Sequence, residues 1–227
     1  HPTQWSAENL LKEGYDSRNI FVTGNSGIDA VMHTARSHSK SWYENHLGRL
    51  VLLTTHRREN WGEPQRKIAE AAREIIDARD DIMLVVPMHK NPVVRRTLED
   101  VLAKHPRVDL IEPPDYADFV KLMQRVDLIL TDSGGVQEEA PSFGKPVLVL
   151  RETTERPEGV DAGTAKLVGT DRDAIVREAN DLLDNPEKYQ AMAQAVSPYG
   201  DGKASARIRY VALKRLGIDS PSEPMWT

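Results

Sequence analysis

Residues 131–159, TDSGGVQEEAPSFGKPVLVLRETTERPEG, gather side chains and backbone that could hold an anion. Ser133, Gly134 and Gly135 follow an apolar run at residues 128–130. Glycines there let backbone N–H groups approach phosphate oxygens without interference from a Cβ. A helix is expected from near Val136, with Gln137, Glu138 and Glu139 in its first turn. A carboxylate in that position either caps the helix or accepts bonds from ribose hydroxyls, and both readings stay open. Beyond the next apolar run, at 147–150, Arg151 and Arg156 flank Glu152 and Glu155.

Three further clusters follow apolar runs. Thr55, His56, Arg57, Arg58, Glu59 and Asn60 stand in succession before Trp61-Gly62, as a solvated loop or as a ligand-facing one. His89 and Lys90, in PMHKNP, precede a helix whose N-terminus would favour an anion. Phe119 falls in the first turn of a helix entered through Glu112-Pro113-Pro114-Asp115, as a core residue or as a surface for a base to stack on. The chain has neither GxGxxG nor GxxxxGK[ST], so hydride transfer and P-loop chemistry have no support.

The elements that must position these clusters are legible from periodicity. Apolar runs at 50–54, 82–86, 108–111, 127–131 and 146–150 alternate with helical patterns at 64–79, 92–104, 116–125 and 136–143. Continuous apolar runs, each followed by a helix, predict a parallel sheet covered on both faces. A short strand at 166–168 and helices at 171–184, 186–196 and 203–216 follow. The chain begins with a helix at 7–13, a strand at 20–22, and a polar linker over 31–48 that ends in a helical stretch. His33, His38 and His46 read there as solvated side chains on a connector. The expected class is α/β, a Rossmann-like doubly wound parallel sheet, which binds ligands beyond the carboxyl ends of its strands.

Composition narrows the partners. The 227 residues include no cysteine, which excludes disulfides and thiolate metal sites and makes a reducing cytoplasm the expected setting. Thirty Lys and Arg against 35 Asp and Glu give a formal charge of −5, unlike a nucleic-acid surface. No apolar run approaches a membrane span.

Together the strings resemble the non-hydrolysing UDP-N-acetylglucosamine 2-epimerases. The resemblance rests on VTGNSGIDA (22–30), THRRENWG (55–62), PMHKNP (87–92), YADF (116–119), LTDSGGVQEEAPSFGKPVLVLRETTERPEG (130–159), AGTAKLVGTD (162–171) and PYGDGKASARI (198–208). HRREN, DSGGxQEE and TTERPE in combination are far more specific than any of them alone. Departures are small: Ser26-Gly27 stands where the family usually has Thr-Val, and Met88 where it often has Val.

The resemblance implies the carboxy-terminal half of a two-domain GT-B fold. Residues 1–48 would be the end of an amino-terminal domain and a connector, 49–200 the UDP-binding domain, and 201–227 a helix crossing back. It implies interconversion of UDP-GlcNAc and UDP-ManNAc by elimination and re-addition of UDP, with no redox cofactor, no obligatory metal, no nucleic-acid or membrane partner, and a homodimeric full-length protein. His56 and Arg156 would contact the diphosphate, His56 as the catalytic group of this half. Ser133, Gly134 and Gly135 would supply donors, Glu139 would hold the ribose, and Phe119 would line the uridine pocket. Arg57, Glu59 and His89 match the positions at which bacterial members bind a second UDP-GlcNAc as activator. The carboxylates that act on the sugar would lie upstream, so the 227-residue chain alone is expected to be inactive. A hydrolysing relative and a retaining GT-B glycosyltransferase are the alternatives.

Overall fold

A computed structural model describes residues 1–226. In chain order the first elements are α1 (Gln4–Lys12), α2 (Ser26–Ser37), β1 (Arg49–Thr54), α3 (Glu63–Asp77), β2 (Ile82–Pro87), α4 (Pro92–Leu102) and β3 (Val108–Ile111). They continue with α5 (Tyr116–Arg125), β4 (Leu128–Thr131), α6 (Gly134–Glu139), β5 (Val147–Val149), α7 (Pro157–Asp161) and β6 (Ala165–Leu167). The last are α8 (Arg172–Asp184), α9 (Pro186–Ala193) and α10 (Ala204–Arg215). They form two compact units, residues 38–196 and residues 1–37 with 197–227.

The larger unit holds a six-stranded, wholly parallel sheet in the order β3-β2-β1-β4-β5-β6. Both faces are buried, which is why its strands read as unbroken apolar runs. Val51, Leu53, Leu84, Val86, Leu128, Leu130 and Leu148 point to one side, against Ile68 and Ile75 of α3, Leu98 of α4 and Ile175 of α8. Leu50, Leu52, Val85, Ile129 and Val149, the alternate residues, are fully buried on the other. Helix starts follow local chemistry: Asn91, Asp115 and Asp171 each accept a backbone N–H as N-caps of α4, α5 and α8. The order in which successive strands are added to the sheet reverses between β1 and β4, which pair in parallel from Val51↔Leu128 to Thr54↔Thr131. That reversal is where doubly wound sheets open a crevice.

In the smaller unit α2 presents Asp29 to the start of α10, accepting from Ala204 N at 3.0 Å and Ser205 N at 2.7 Å. Buried Arg207 of α10 makes a two-pronged pair with Asp201, at 2.7 and 2.8 Å.

Several sequence expectations change. Residues 20–22 form no strand: Phe21 O and Val22 O take single bonds from His1 N and Trp226 N, too few for a ladder. Helix α2 precedes the linker rather than ending it, because Ile28 and Val31 bury a helical face. The connector histidines are not all solvated. His38 Nε2 lies 2.7 Å from Asp118 Oδ1, and His46 Nε2 is buried.

Candidate functional site

The hub of the crevice is Asp132, the first residue beyond β4, whose side chain is 0% exposed. A buried carboxylate is costly unless its oxygens are filled with donors, and the loop after β1 fills them. Thr55 Oγ1 (2.9 Å), Arg57 N (3.0 Å) and Asn60 Nδ2 (3.0 Å) donate to Oδ2. His56 N lies 3.1 Å from both oxygens, and His56 Nδ1 lies 3.2 Å from Oδ1. Burial pushes the Asp132 carboxyl up, but the hydrogen bonds from His56, Arg57 N and Asn60 prevail and hold it below the usual carboxylate range. Asn60 also donates to Leu150 O at 3.1 Å, so one buried amide ties together the ends of β1, β4 and β5.

His56 is thereby aimed outward, its side chain 40% exposed. Its ring stacks on His89, from the end of β2, with centroids 5.7 Å apart and an interplanar angle of 26°. His89 Nδ1 accepts from Asn91 N at 3.2 Å. The Trp61 indole donates to His56 O at 3.2 Å and holds the loop from the other side.

The arginines are held by glutamates. Arg57 donates to Asp132 O at 3.3 Å and to Glu155 at 2.8 Å. Arg151 pairs with Glu59 at 2.7 Å and also with Glu155. Arg156 pairs with Glu138, and its N–H donates to Thr154 Oγ1 at 3.0 Å. Thr154 in turn donates to buried Gln137 Oε1 at 2.7 Å, and Gln137 Nε2 reaches Ser133 O at 3.2 Å. This chain fixes the Arg156 loop to the start of α6. The Arg57–Glu155 pair packs closely over Gly134: a Cβ there would come 3.3 Å from Glu155 Oε1 and 3.5 Å from Arg57 Nη2, the mobile ends of two side chains.

Helix α6 starts at Gly134, not near Val136, because both glycines take ordinary helical backbone. Glu138 and Glu139 therefore end the helix rather than open it, which removes the capping reading. Half-buried Glu139 accepts from Tyr116 Oη at 3.2 Å. Burial, with the charge of Glu138, outweighs that bond and pushes Glu139 up to about 7. Tyr116 is pushed up to about 12 by burial and by Glu139. Phe119 is half-buried one turn along the same helix.

His56, Arg57, Glu59, Ser133, Gly134, Gly135 and Arg156 thus meet at adjoining strand ends with His89 against them, and Tyr116 links the α5 that carries Phe119 to Glu139. Sequence reasoning missed Asp132, Asn60, Tyr116, Gln137 and Thr154. One signal was available for Asp132: a carboxylate directly after a four-residue buried strand must be matched by donors. Among the described residues no group of three or more His, Asp or Glu side chains could hold a metal ion, and no helix is long and apolar enough to cross a membrane.

A parallel sheet in this order, with its polar side chains gathered where the order reverses, defines a doubly wound Rossmann-like protein. The chain belongs to the UDP-N-acetylglucosamine 2-epimerase family, whose model matches residues 1–212. It is 51% identical over 209 residues to a UDP-N-acetylglucosamine 2-epimerase of Bacillus subtilis, covering 91% of this chain and 55% of that protein. Among solved structures it is similar to an S. aureus MnaA–UDP co-structure at 46% identity and a TM-score of 0.92, covering 98% of this chain and 62% of that one. The UDP-GlcNAc 2-epimerase from Neisseria meningitidis bound to UDP-GlcNAc is similar at 43% identity and a TM-score of 0.88, covering 94% and 60%. The chain therefore spans 55–62% of the length of these relatives.

Proposed function

We propose that this chain supplies the UDP-binding half of a non-hydrolysing UDP-N-acetylglucosamine 2-epimerase. The observation that carries the reading is His56, fastened through its Nδ1 to a buried carboxylate and exposed where the strand order reverses, beside arginines and the two glycines that open α6. In the reaction a base removes the C2 proton and the anomeric C–O bond breaks, its electron pair leaving with the diphosphate. A C1=C2 double bond forms in the sugar; re-addition of UDP and reprotonation of C2 on the other face complete the epimerisation. The part of this chemistry that suits the present residues is stabilisation of the departing anion. His56 and Arg156 contact the diphosphate, and Ser133, Gly134 and Gly135 contribute hydroxyl and backbone donors. Glu139 accepts from the ribose hydroxyls, and Phe119 lines the uracil. Arg57, Glu59 and His89 border a second nucleotide-sugar site that activates the enzyme. The whole protein is a homodimer, and the groups that exchange the C2 proton lie outside these residues.

Titration calorimetry with UDP tests this directly: binding is expected, and Glu139→Ala should weaken it at least tenfold. Unchanged UDP affinity in that variant would remove the ribose assignment. Release of free ManNAc by the whole protein would assign the hydrolysing reaction instead, and transfer of sugar to an acceptor without inversion at C2 would assign a glycosyltransferase.

A further inference from the structure

We propose that Asp132 is the positioning residue of His56, fixing a proton on Nδ1 so that the proton exchanged with a ligand is carried on Nε2. The role at the leaving group rests on the function proposed above; the tautomer does not.

The two carboxylate oxygens are unequally loaded. Oδ2 takes Thr55 Oγ1, Arg57 N and Asn60 Nδ2 and shares His56 N, whereas among the described residues Oδ1 is met by His56 alone, through N and Nδ1. An ionised carboxylate has no hydrogen, so Nδ1 must be the donor in this contact. Nε2 is then the imidazole atom left to exchange a proton in the exposed part of the crevice. His89, stacked on the same ring, has the opposite arrangement, its Nδ1 accepting from a backbone N–H. Its proton therefore sits on Nε2. The other charged neighbour is Arg57, whose fork is engaged by Asp132 O and Glu155.

This asymmetry predicts what Asp132→Asn does. An amide has one oxygen, and Oδ2, with three donors of its own, is where that oxygen must go. The NH2 group then replaces Oδ1 and points at His56 Nδ1, which must become an acceptor. The imidazole proton moves to Nε2, and the ring loses the arrangement that hands a proton on. The same exchange in a catalytic triad leaves geometry intact while imposing the wrong tautomer.

Long-range proton–nitrogen NMR of the imidazoles reads the tautomer directly, with His56 assigned among the seven histidines by the signal lost in His56→Gln. In the unmodified chain the neutral His56 ring is expected to carry its proton on Nδ1, and in Asp132→Asn on Nε2, with UDP affinity at least tenfold lower. A proton on Nε2 in the unmodified chain overturns the proposal, and so does a proton on Nδ1 in the Asn variant. Should Asp132→Asn not fold, the unmodified chain alone decides. If it shows the Nδ1 proton yet binds no UDP, the pairing stands and the UDP reading fails.

Discussion

Tyr116 and Glu139, 23 positions apart, meet where α5 begins and α6 ends, the phenol donating to the carboxylate at 3.2 Å. The carboxyl is pushed up to about 7 by burial first and by Glu138, against the pull of Tyr116. Below about pH 4.5 the group is protonated in both folded and unfolded chains. Between 4.5 and about 7 the folded protein keeps a proton that the unfolded chain has lost, so stability from this group falls as pH rises through that window. Glu139→Gln is therefore expected to match the parent near pH 4.5 and to exceed it above pH 7 by about 1–2 kcal/mol, after discounting for partial exposure. Thermal melts at pH 4.5 and 8 check this; an equal difference at both pH values would refute it.

Asn60→Ala should destabilise by about 1–3 kcal/mol, because it leaves Leu150 O unpaired and Asp132 one donor short in a buried place. Urea denaturation measures the change. A loss below about 0.5 kcal/mol would mean that this knot does not hold the three strand ends.

Arg57→Ala should behave differently. Its pair with Glu155 is 32% and 40% exposed, so the stability change is expected to stay within about 1 kcal/mol and to shrink in 1 M salt. Binding of a second nucleotide sugar, followed by titration in the whole protein, should nevertheless weaken.

Gly62 precedes α3 with φ 84° and ψ −126°, a conformation that L side chains rarely adopt, although space there is open. Gly62→Ala is expected to cost about 1–3 kcal/mol through backbone strain alone. A melting temperature unchanged within 1 °C would show that the loop relaxes.

Phe119→Ala should leave the fold intact and lower UDP affinity by roughly 10- to 100-fold, the scale of a base–aromatic stack. Equal affinity of parent and variant in calorimetry would take Phe119 out of the uridine pocket.

The local alphabet of the fold was readable without coordinates. Runs such as LVLL at 50–53 and MLVV at 83–86 are continuous because both sheet faces are buried, and the helical patterns beginning at 92, 116 and 171 start within a residue of α4, α5 and α8. Those signals depend on neighbours within a few residues. The site residues were readable as motifs for the same reason, as short polar strings at strand ends. What the tertiary structure alone decided is how those strings divide the work. Residues 20–22 were misread because their partners lie at the chain's ends, and α6 was misplaced because a glycine pair does not announce whether it turns or stays helical. Asp132 looked like one polar residue in a glycine turn; its importance comes from Thr55, His56, Arg57 and Asn60, more than seventy positions earlier. Composition and spacing determine a doubly wound sheet with anion-friendly loops. Only the pairing of β1 with β4 puts one loop's donors around the other's buried carboxylate, since a charge so far from water is tolerated only where the folded chain supplies every bond that water would have made.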